Sequence, residues 1–449
     1  MSNLIIRLKR EKYILSIVLI LIVFLGVSHC LLIGNVSLFI TMIIIVISLF
    51  STVNISYIIM FMCLPFFNMM NKSIGSVSFF YVVIIIFLIK FLKYKKMKIG
   101  YKKLLLICFF IFLRLFSRDL VLLSKWILLI LPLILTYNDD ILYYNLERVI
   151  KYLSITTIIS SLFGYYMLIN GLSIYTSAYV YSEKGITTRF AGLIGDSVVY
   201  GQFIIIIIAS NIVIGYFNKK INKRCILLSV ILSIFGILTY SKTFIILLIF
   251  IIFIYILNTI MENIKNKKKI LKSFFIIISS IFVILLGISY IIKNMDNYLI
   301  NNYIVRFSNV DLWTGRGTVS KHYIDLIFSD FRNIFIPMKQ YIYEAPFYAS
   351  STMIITRAHN IYIETVCIFG LAGSLLIFLY IIFEIIKFLF RKGKFICLSP
   401  LMVLLASGIS LHGHLEFQYY FTVMLSLFFI SPKFHKYANK SDNIKIKSN

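Results

Sequence analysis

Long, almost uninterrupted apolar runs recur along the whole chain, and they leave one class of fold. The stretches Tyr13 to Ile33, Val198 to Phe217 and Thr243 to Ile260 hold no Lys, Arg, Asp or Glu. A helix needs about 20 such residues to cross the hydrocarbon core of a bilayer, and fewer where neighbouring helices shield it. That rule predicts an all-α polytopic membrane protein of about 12 to 14 transmembrane helices. The fourteen predicted stretches are Tyr13 to Ile33, Val36 to Phe50, Ile55 to Met69, Val77 to Leu92, Leu104 to Phe116, Leu120 to Tyr137 and Val149 to Ile169. They continue with Val198 to Phe217, Cys225 to Tyr240, Thr243 to Ile260, Phe274 to Ile292, Ile361 to Phe390, Phe395 to Leu411 and Tyr419 to Ile430.

Composition excludes the other classes. With 60% hydrophobic and 14% charged residues over 449 positions, the chain lacks the polar surface that a soluble enzyme or a nucleic-acid binder needs. Its net charge of +28 therefore calls for a membrane explanation, and the distribution supplies one. Lys90 to Lys103, Arg148 with Lys151, Lys219 to Arg224, Lys265 to Lys272, Lys387 to Lys394 and the tail from Lys433 fall in alternate connections. With Arg7, Lys9, Arg10 and Lys12, these hold roughly two thirds of the basic residues, which places both termini and every second loop in the cytoplasm. The apolar run after the basic N-terminus is too long for a signal core and has no small-residue cleavage site, so it reads as an uncleaved first span.

Four regions follow: helices 1 to 11 over residues 1–292, a large outer loop over 293–360, three last helices over 361–430, and a basic tail over 431–449. A connection as long as 293–360 is usually functional. Within it Val319, Tyr323, Leu326 and Ile327 recur at helical spacing while Lys321, Asp325 and Asp330 take other faces. This predicts an amphipathic helix from Thr318 to Phe331, on the outer membrane surface or over a cavity. The six cysteines stand singly with no C-x-x-C pair and read as small buried hydrophobes.

The chemistry-bearing residues gather at predicted outer loop ends. Arg357-Ala-His359-Asn360-Ile-Tyr362-Ile-Glu364 precedes Gly370-Leu-Ala-Gly373-Ser374, and Gly370 with Ser374 has the small-xxx-small spacing that admits a close helix. A His, an Asn and a Glu here are costly near lipid, so they are expected to face a wet cavity. By residue type alone His359 reads as a headgroup-level anchor before a base, and Glu364 as a hydrogen-bond acceptor as readily as a catalytic group; the family resemblance these motifs carry favours His359 as the base, since an imidazole suits proton abstraction near neutral pH. His412-Gly-His414 with Glu416 is a weak metal motif, because residues i and i+2 of a helix face different ways. No metal or cofactor is expected.

The string H-N-x-Y-x-E followed by G-x-x-G, after a long outer loop, resembles the signature of the O-antigen polymerase and O-antigen ligase superfamily. Arg189-Phe-Ala-Gly192-Leu-Ile-Gly195-Asp196, Thr239-Tyr-Ser241-Lys242-Thr243 and Thr314-Gly315-Arg316 are similar to further elements of it, in the expected order. The resemblance covers roughly the last two thirds of the chain. Two departures are Ser197-Val198 where Pro-Asn is usual, and Lys242 where Arg is usual, since a lysine cannot hold phosphate bidentately.

The resemblance implies a C-type glycosyltransferase-like fold and a metal-independent, inverting glycosyl transfer on the outer face of the bacterial cytoplasmic membrane. Its donor is a polyprenyl-diphosphate-linked glycan. Without a metal, the diphosphate leaving group needs fixed cations, and Arg189, Lys242 and Arg316 are the candidates. A Wzy-type polymerase of oligosaccharide repeat units is the first reading, building O-antigen, capsular or exopolysaccharide. A ligase acting on lipid A core is the second, and a lipid-linked oligosaccharide flippase is the rival from another class. The implied partners are the lipid-linked glycan and the bilayer, with a flippase and a chain-length regulator beside them and no nucleic acid.

Overall fold

A computed structural model describes residues 2–71, 78–95, 101–115, 120–137, 139–172, 179–182, 185–218, 221–265, 293–294, 300–301, 303–304, 316–335, 337–338, 347–348, 354–355, 358–391, 394–409 and 417–434. The chain is a helical membrane protein. Its helices are α1 (Ser2–Cys30), α2 (Gly34–Phe50), α3 (Val53–Cys63), α4 (Phe79–Tyr94), α5 (Tyr101–Leu115), α6 (Leu120–Thr136), α7 (Asp140–Ile169), α8 (Ser197–Phe217), α9 (Asn222–Ile237) and α10 (Lys242–Lys265). In the large loop lie α11 (Arg316–Ser329) and α12 (Phe331–Phe335), followed by α13 (Ile361–Phe390), α14 (Ser399–Gly408) and α15 (Phe417–Phe429). Two small antiparallel hairpins, Tyr179–Ser182 with Gly185–Thr188 and Phe347–Tyr348 with Ile354–Ile355, lie in the loops before α8 and α13.

Helix occupies most of every predicted stretch except Phe274 to Ile292, which lies outside the described residues. Five helices, Arg10–Cys30, Asn145–Ile169, Ser197–Phe217, Lys242–Met261 and Ile361–Phe390, are long and apolar enough to cross a bilayer by themselves. Others are shorter than the spacing rule assumes. The 11 residues of α3 rise only about 16 Å, and the chain continues through a 3-10 turn at Leu64–Phe66 that Pro65 opens. Burial makes this tolerable, because residues Ile55 to Cys63 are all enclosed by protein and expose no backbone to lipid.

Helix α8 is the axis of the bundle. It is apolar all round and buried along nearly its whole length, as expected for a helix enclosed on every side. Its few polar side chains bond to neighbours: Asn211 Nδ2 donates to Ser154 Oγ of α7 at 2.8 Å, and Tyr200 shares a hydrogen bond with Ser161. Around it, α1, α2, α9, α10 and α13 turn large apolar side chains outward, among them Phe24, Phe39, Leu227, Phe253 and Leu379. So wide an apolar exterior fits lipid and no aqueous surface. One expectation is corrected here: Cys108 is exposed on α5, while the other five cysteines are buried and all six are free.

Ion pairs collect the basic connections at one end of the bundle. Arg148 bonds Glu11 at 2.8 Å, Arg224 reaches Glu147 at 3.3 Å, Lys95 pairs with Asp139 at 2.7 Å, Lys387 with Glu384 at 3.3 Å, and Lys433 with Asp140. Lys394 lies over the rings of Tyr216 and Phe217 at the same end of α8. Outside the spans, the Lys433 ammonium holds the Asp140 carboxyl below its ordinary pKa. The charge pattern and the packing thus agree on which loops share a surface.

The amphipathic helix of the large loop is present two residues earlier than its pattern suggests, as α11. It buries Val319, Tyr323 and Ile327 and exposes Lys321, Asp325 and Asp330. Asp330 ends it by accepting a bond from the Arg332 amide at 2.9 Å, which starts the short α12.

The break in α13 is the feature that joins this loop to the bundle. Gly370 has φ 66 and ψ 176, outside helical geometry, so the helix is interrupted nine residues after Ile361. Such a conformation suits a glycine, and it frees carbonyls of the preceding turn. The Cys367 carbonyl is met instead by the amide of Met338 at 2.9 Å, from the chain that follows α12. The close helix approach expected at Gly370 and Ser374 is found at Gly373, where an added Cβ would come within 2.7 Å of Leu113 of α5. Ser374 bonds back to the Gly370 carbonyl at 2.7 Å.

Candidate functional site

At the end of the bundle opposite the ion pairs, the segment 189–196 enters the protein without regular structure. Phe190 to Ile194 are buried, so their backbone groups must find partners inside. The Phe190 amide donates to the Leu238 carbonyl at 3.2 Å, and Asn68 Nδ2 donates to the carbonyls of Leu193 at 2.9 Å and Ile194 at 3.0 Å. Gly192 takes φ +57, and its backbone packs so tightly that a Cβ on Gly164 of α7 would stand 2.8 Å from its carbonyl carbon. The segment closes on Asp196, whose Oδ1 accepts from the amides of Val198 at 2.7 Å and Val199 at 3.0 Å. Asp196 is thus the N-cap of α8, a role that does not need Pro-Asn after it.

Arg189 opens this segment and is buried. Its Nε donates to the Thr239 carbonyl at 3.0 Å, across 50 positions of sequence. The guanidinium therefore sits on the Thr239-Tyr-Ser241-Lys242 turn, where Tyr240 has φ 48 and Lys242 begins α10. The turn is fixed from within: Thr239 Oγ1 donates to the Gly236 carbonyl at 2.7 Å, and Ser241 Oγ accepts from the Phe244 amide at 3.3 Å. Two of the three predicted cationic residues are thereby brought to one place.

The third, Arg316, is the first residue of α11; Thr314, Gly315 and Arg357 lie outside the described residues. Its helix meets the His359 region through Ser320, whose Oγ donates to the Ala358 carbonyl at 3.4 Å. His359 is half-buried at φ 50, between the enclosed Ala358 and Asn360. Asn360 caps α13, its Oδ1 accepting from the amides of Tyr362 at 2.9 Å and Ile363 at 3.2 Å. Left-handed backbone at a non-glycine residue costs about 1 to 3 kcal/mol and collects at functional sites.

Glu364 is not at a wet surface, which corrects the expectation for it. It is wholly buried in the first turn of α13, within electrostatic range of Tyr323 of α11 and of Tyr419 of α15. Burial pushes the pKa of the Tyr323 hydroxyl up, so that hydroxyl stays a proton donor.

Two adjacent residues of α8 join the halves of the site. Gly201 lies beside the cationic turn, where an added Cβ would meet Thr239 Oγ1 at 3.6 Å and Ser241 Cβ at 3.7 Å. Gln202 donates through Nε2 to Ser407 Oγ of α14 at 2.5 Å, and the next residue, Gly408, faces Ile361 at 3.5 Å. One turn of α8 thus has Lys242 on one flank and the start of α13, with His359 just before it, on the other. Gln202, Ser407 and Asn68 were not foreseen as parts of the site. The available signal was a polar side chain inside an apolar span, which demands a partner.

Five positions in the motif segments, Gly192, Gly195, Tyr240, His359 and Gly370, have positive φ; among the described residues only Leu32 and Gly171 share that property elsewhere. No group of three His, Cys, Asp or Glu that could hold a metal comes together among the described residues, and the His412 to Glu416 segment lies outside them. The chain matches no family model, no curated protein and no solved structure.

Proposed function

We propose that this protein is a metal-independent glycosyltransferase that polymerises polyprenyl-diphosphate-linked oligosaccharide repeat units on the outer face of the bacterial cytoplasmic membrane. The observation that carries this reading is the assembly at one end of the bundle of a buried arginine, a lysine at a helix start and a histidine on strained backbone, tied through Gly201 and Gln202. Fixed cations at a membrane surface suit a lipid-anchored diphosphate, because they meet its developing charge without reorganising. His359 takes the proton of the acceptor hydroxyl as its oxygen attacks the anomeric carbon. The bond from that carbon to the diphosphate breaks with inversion, and the lipid diphosphate leaves with the electron pair beside Arg189 and Lys242. The apolar exterior keeps donor and enzyme in one bilayer.

The purified chain incubated with a defined lipid-diphosphate repeat unit should produce a ladder of elongated glycan on a gel, without added metal or nucleotide sugar. Transfer of one unit only, and only to lipid A core, would replace polymerase by ligase. Flux of the lipid across vesicles without any elongation would replace both by a flippase. The reading also fixes orientation: an impermeant thiol reagent should label cysteines placed at Asn301, Lys321 or Thr352 from outside, and at Lys96, Lys267 or Lys392 only after lysis. Labelling of Lys321→Cys from the cytoplasm would remove the proposed site with the topology.

A further inference from the structure

A cavity of about 470 Å³ runs between α5, α6, α13, α14 and α15. Along α13 its wall extends from Ile361 to Glu384, past the break at Gly370. A volume of this size suits a single hydrocarbon chain and not a whole lipid. Between its ends the wall is apolar, with Phe110, Ile134, Phe369 and Leu404 among its members. Its charged groups, Lys103 and Glu384, both stand at the basic end of the bundle.

The charges at that end are unevenly matched. Asp139, Asp140 and Glu384 are taken by Lys95, Lys433 and Lys387 respectively. Glu384 also accepts a bond from the Tyr137 hydroxyl at 2.6 Å. Lys103 shares the field of Asp139 with Lys95 and donates to the carbonyls of Leu135 at 2.7 Å and Tyr137 at 3.0 Å, so Lys95, Lys103 and Lys433 together face two carboxylates, Asp139 and Asp140. Further basic residues, Lys93, Lys96, Lys98, Lys102 and Arg391, adjoin it in sequence or flank the same loops. An apolar slot that ends at a cluster with one lysine in excess of its carboxylates matches one kind of molecule.

We propose that this cavity binds one acyl chain of an anionic phospholipid of the leaflet at the basic end, with the lipid phosphate accepting from Lys103. A neutral lipid would fill the slot and leave the cluster's excess positive charge unmatched, while basic pockets between membrane helices favour anionic headgroups. Its basic end, where the headgroup would bind, lies away from the proposed transfer chemistry, while its other end reaches Ile361, Tyr362 and Gly408 beside that site.

The sequence provides its own reporter. Trp126 stacks on Phe369 at 5.2 Å and on Phe110 at 5.9 Å, both in the cavity wall, and the chain has only two tryptophans. The Trp313→Phe protein, reconstituted in phosphatidylcholine, is titrated with phosphatidylglycerol carrying brominated chains, which quench a nearby indole, or with brominated phosphatidylcholine. Phosphatidylglycerol should reach half-maximal quenching of Trp126 at about fivefold lower mole fraction, the preference one lysine confers. Lys103→Gln should erase the preference and keep the quenching, and Leu404→Phe should lower the quenching by both lipids. Equal titrations by the two lipids in the Trp313→Phe protein overturn the proposal without reference to any cavity variant. Displacement of bound phosphatidylglycerol by equimolar polyprenyl phosphate also overturns it, by showing that the slot holds the isoprenoid chain instead.

Discussion

Cells carrying His359→Ala or His359→Gln should accumulate single repeat units that are never elongated, while the purified variants still bind the lipid-diphosphate donor. Loss of a general base typically lowers the rate about 10²- to 10⁴-fold without a matching loss of ground-state binding. Two features of the structure sharpen this expectation. His359 precedes the cap of α13 and does not form it, since Asn360 supplies the capping oxygen, so α13 should start normally in either variant. His359 also holds φ 50, which glutamine tolerates less well than histidine or asparagine, so His359→Asn is the control that keeps the backbone and removes the base. Inactive His359→Asn with normal donor binding supports proton abstraction. Near-normal elongation by His359→Gln at neutral pH would mean that the residue only shapes the loop, and suspicion would move to another acceptor. The parent activity should fall on the acid side, because an imidazolium cannot take a proton.

Arg189→Ala should abolish polymer formation by two routes that a thermal melt separates. Its Nε holds the Thr239 carbonyl inside the protein, and a charged hydrogen bond of this kind contributes about 1.5 to 3 kcal/mol, so the turn before α10 should loosen and the melting temperature fall. Lys242→Ala removes a cation from the same place without that bond. With the Arg189–Thr239 bond left in place, it should still lower the rate by about 10²- to 10³-fold, the usual effect of losing one preorganised group at a developing charge. Lys242→Arg should retain activity, since a guanidinium fork contacts phosphate oxygens at least as well as an ammonium. Donor affinity unchanged in both alanine variants would make the two residues interfacial anchors and remove the diphosphate from this turn.

These residues differ in how far the sequence exposes their roles. The helices were legible because a backbone in hydrocarbon has no other economical way to satisfy its amides, so apolar length alone predicts them. The amphipathic α11 was legible from the spacing of Val319, Tyr323 and Ile327 for a related reason, since one face must be buried and the other wetted. Shared orientation of the basic loops was legible from Lys and Arg placement, and the pairs from Glu11 to Arg148 and from Asp139 to Lys95 place them together. Motif spacing also marked Arg189, Lys242 and His359, although it could not say that the first reaches the turn before the second.

What the sequence determined by itself, then, is the solvent and the local backbone: which stretches are apolar enough to be helices in lipid, and where glycines permit a left-handed turn. Apolar period and charge act over a few residues, and those signals survive in one dimension. The tertiary structure alone decided the pairings across long separations. Arg189 on Thr239, Gln202 on Ser407 and Met338 on the carbonyl that Gly370 frees are each a match between two groups far apart in the chain. It also decided that Glu364 is enclosed and that a cavity of about 470 Å³ remains between α13 and its neighbours. The physical reason is that apolar helices pack in many registers with similar burial, so their sequences scarcely discriminate among neighbours. Only the few buried polar groups, each costly to leave without a partner, select the arrangement, and which partner each one finds is a property of the assembled bundle.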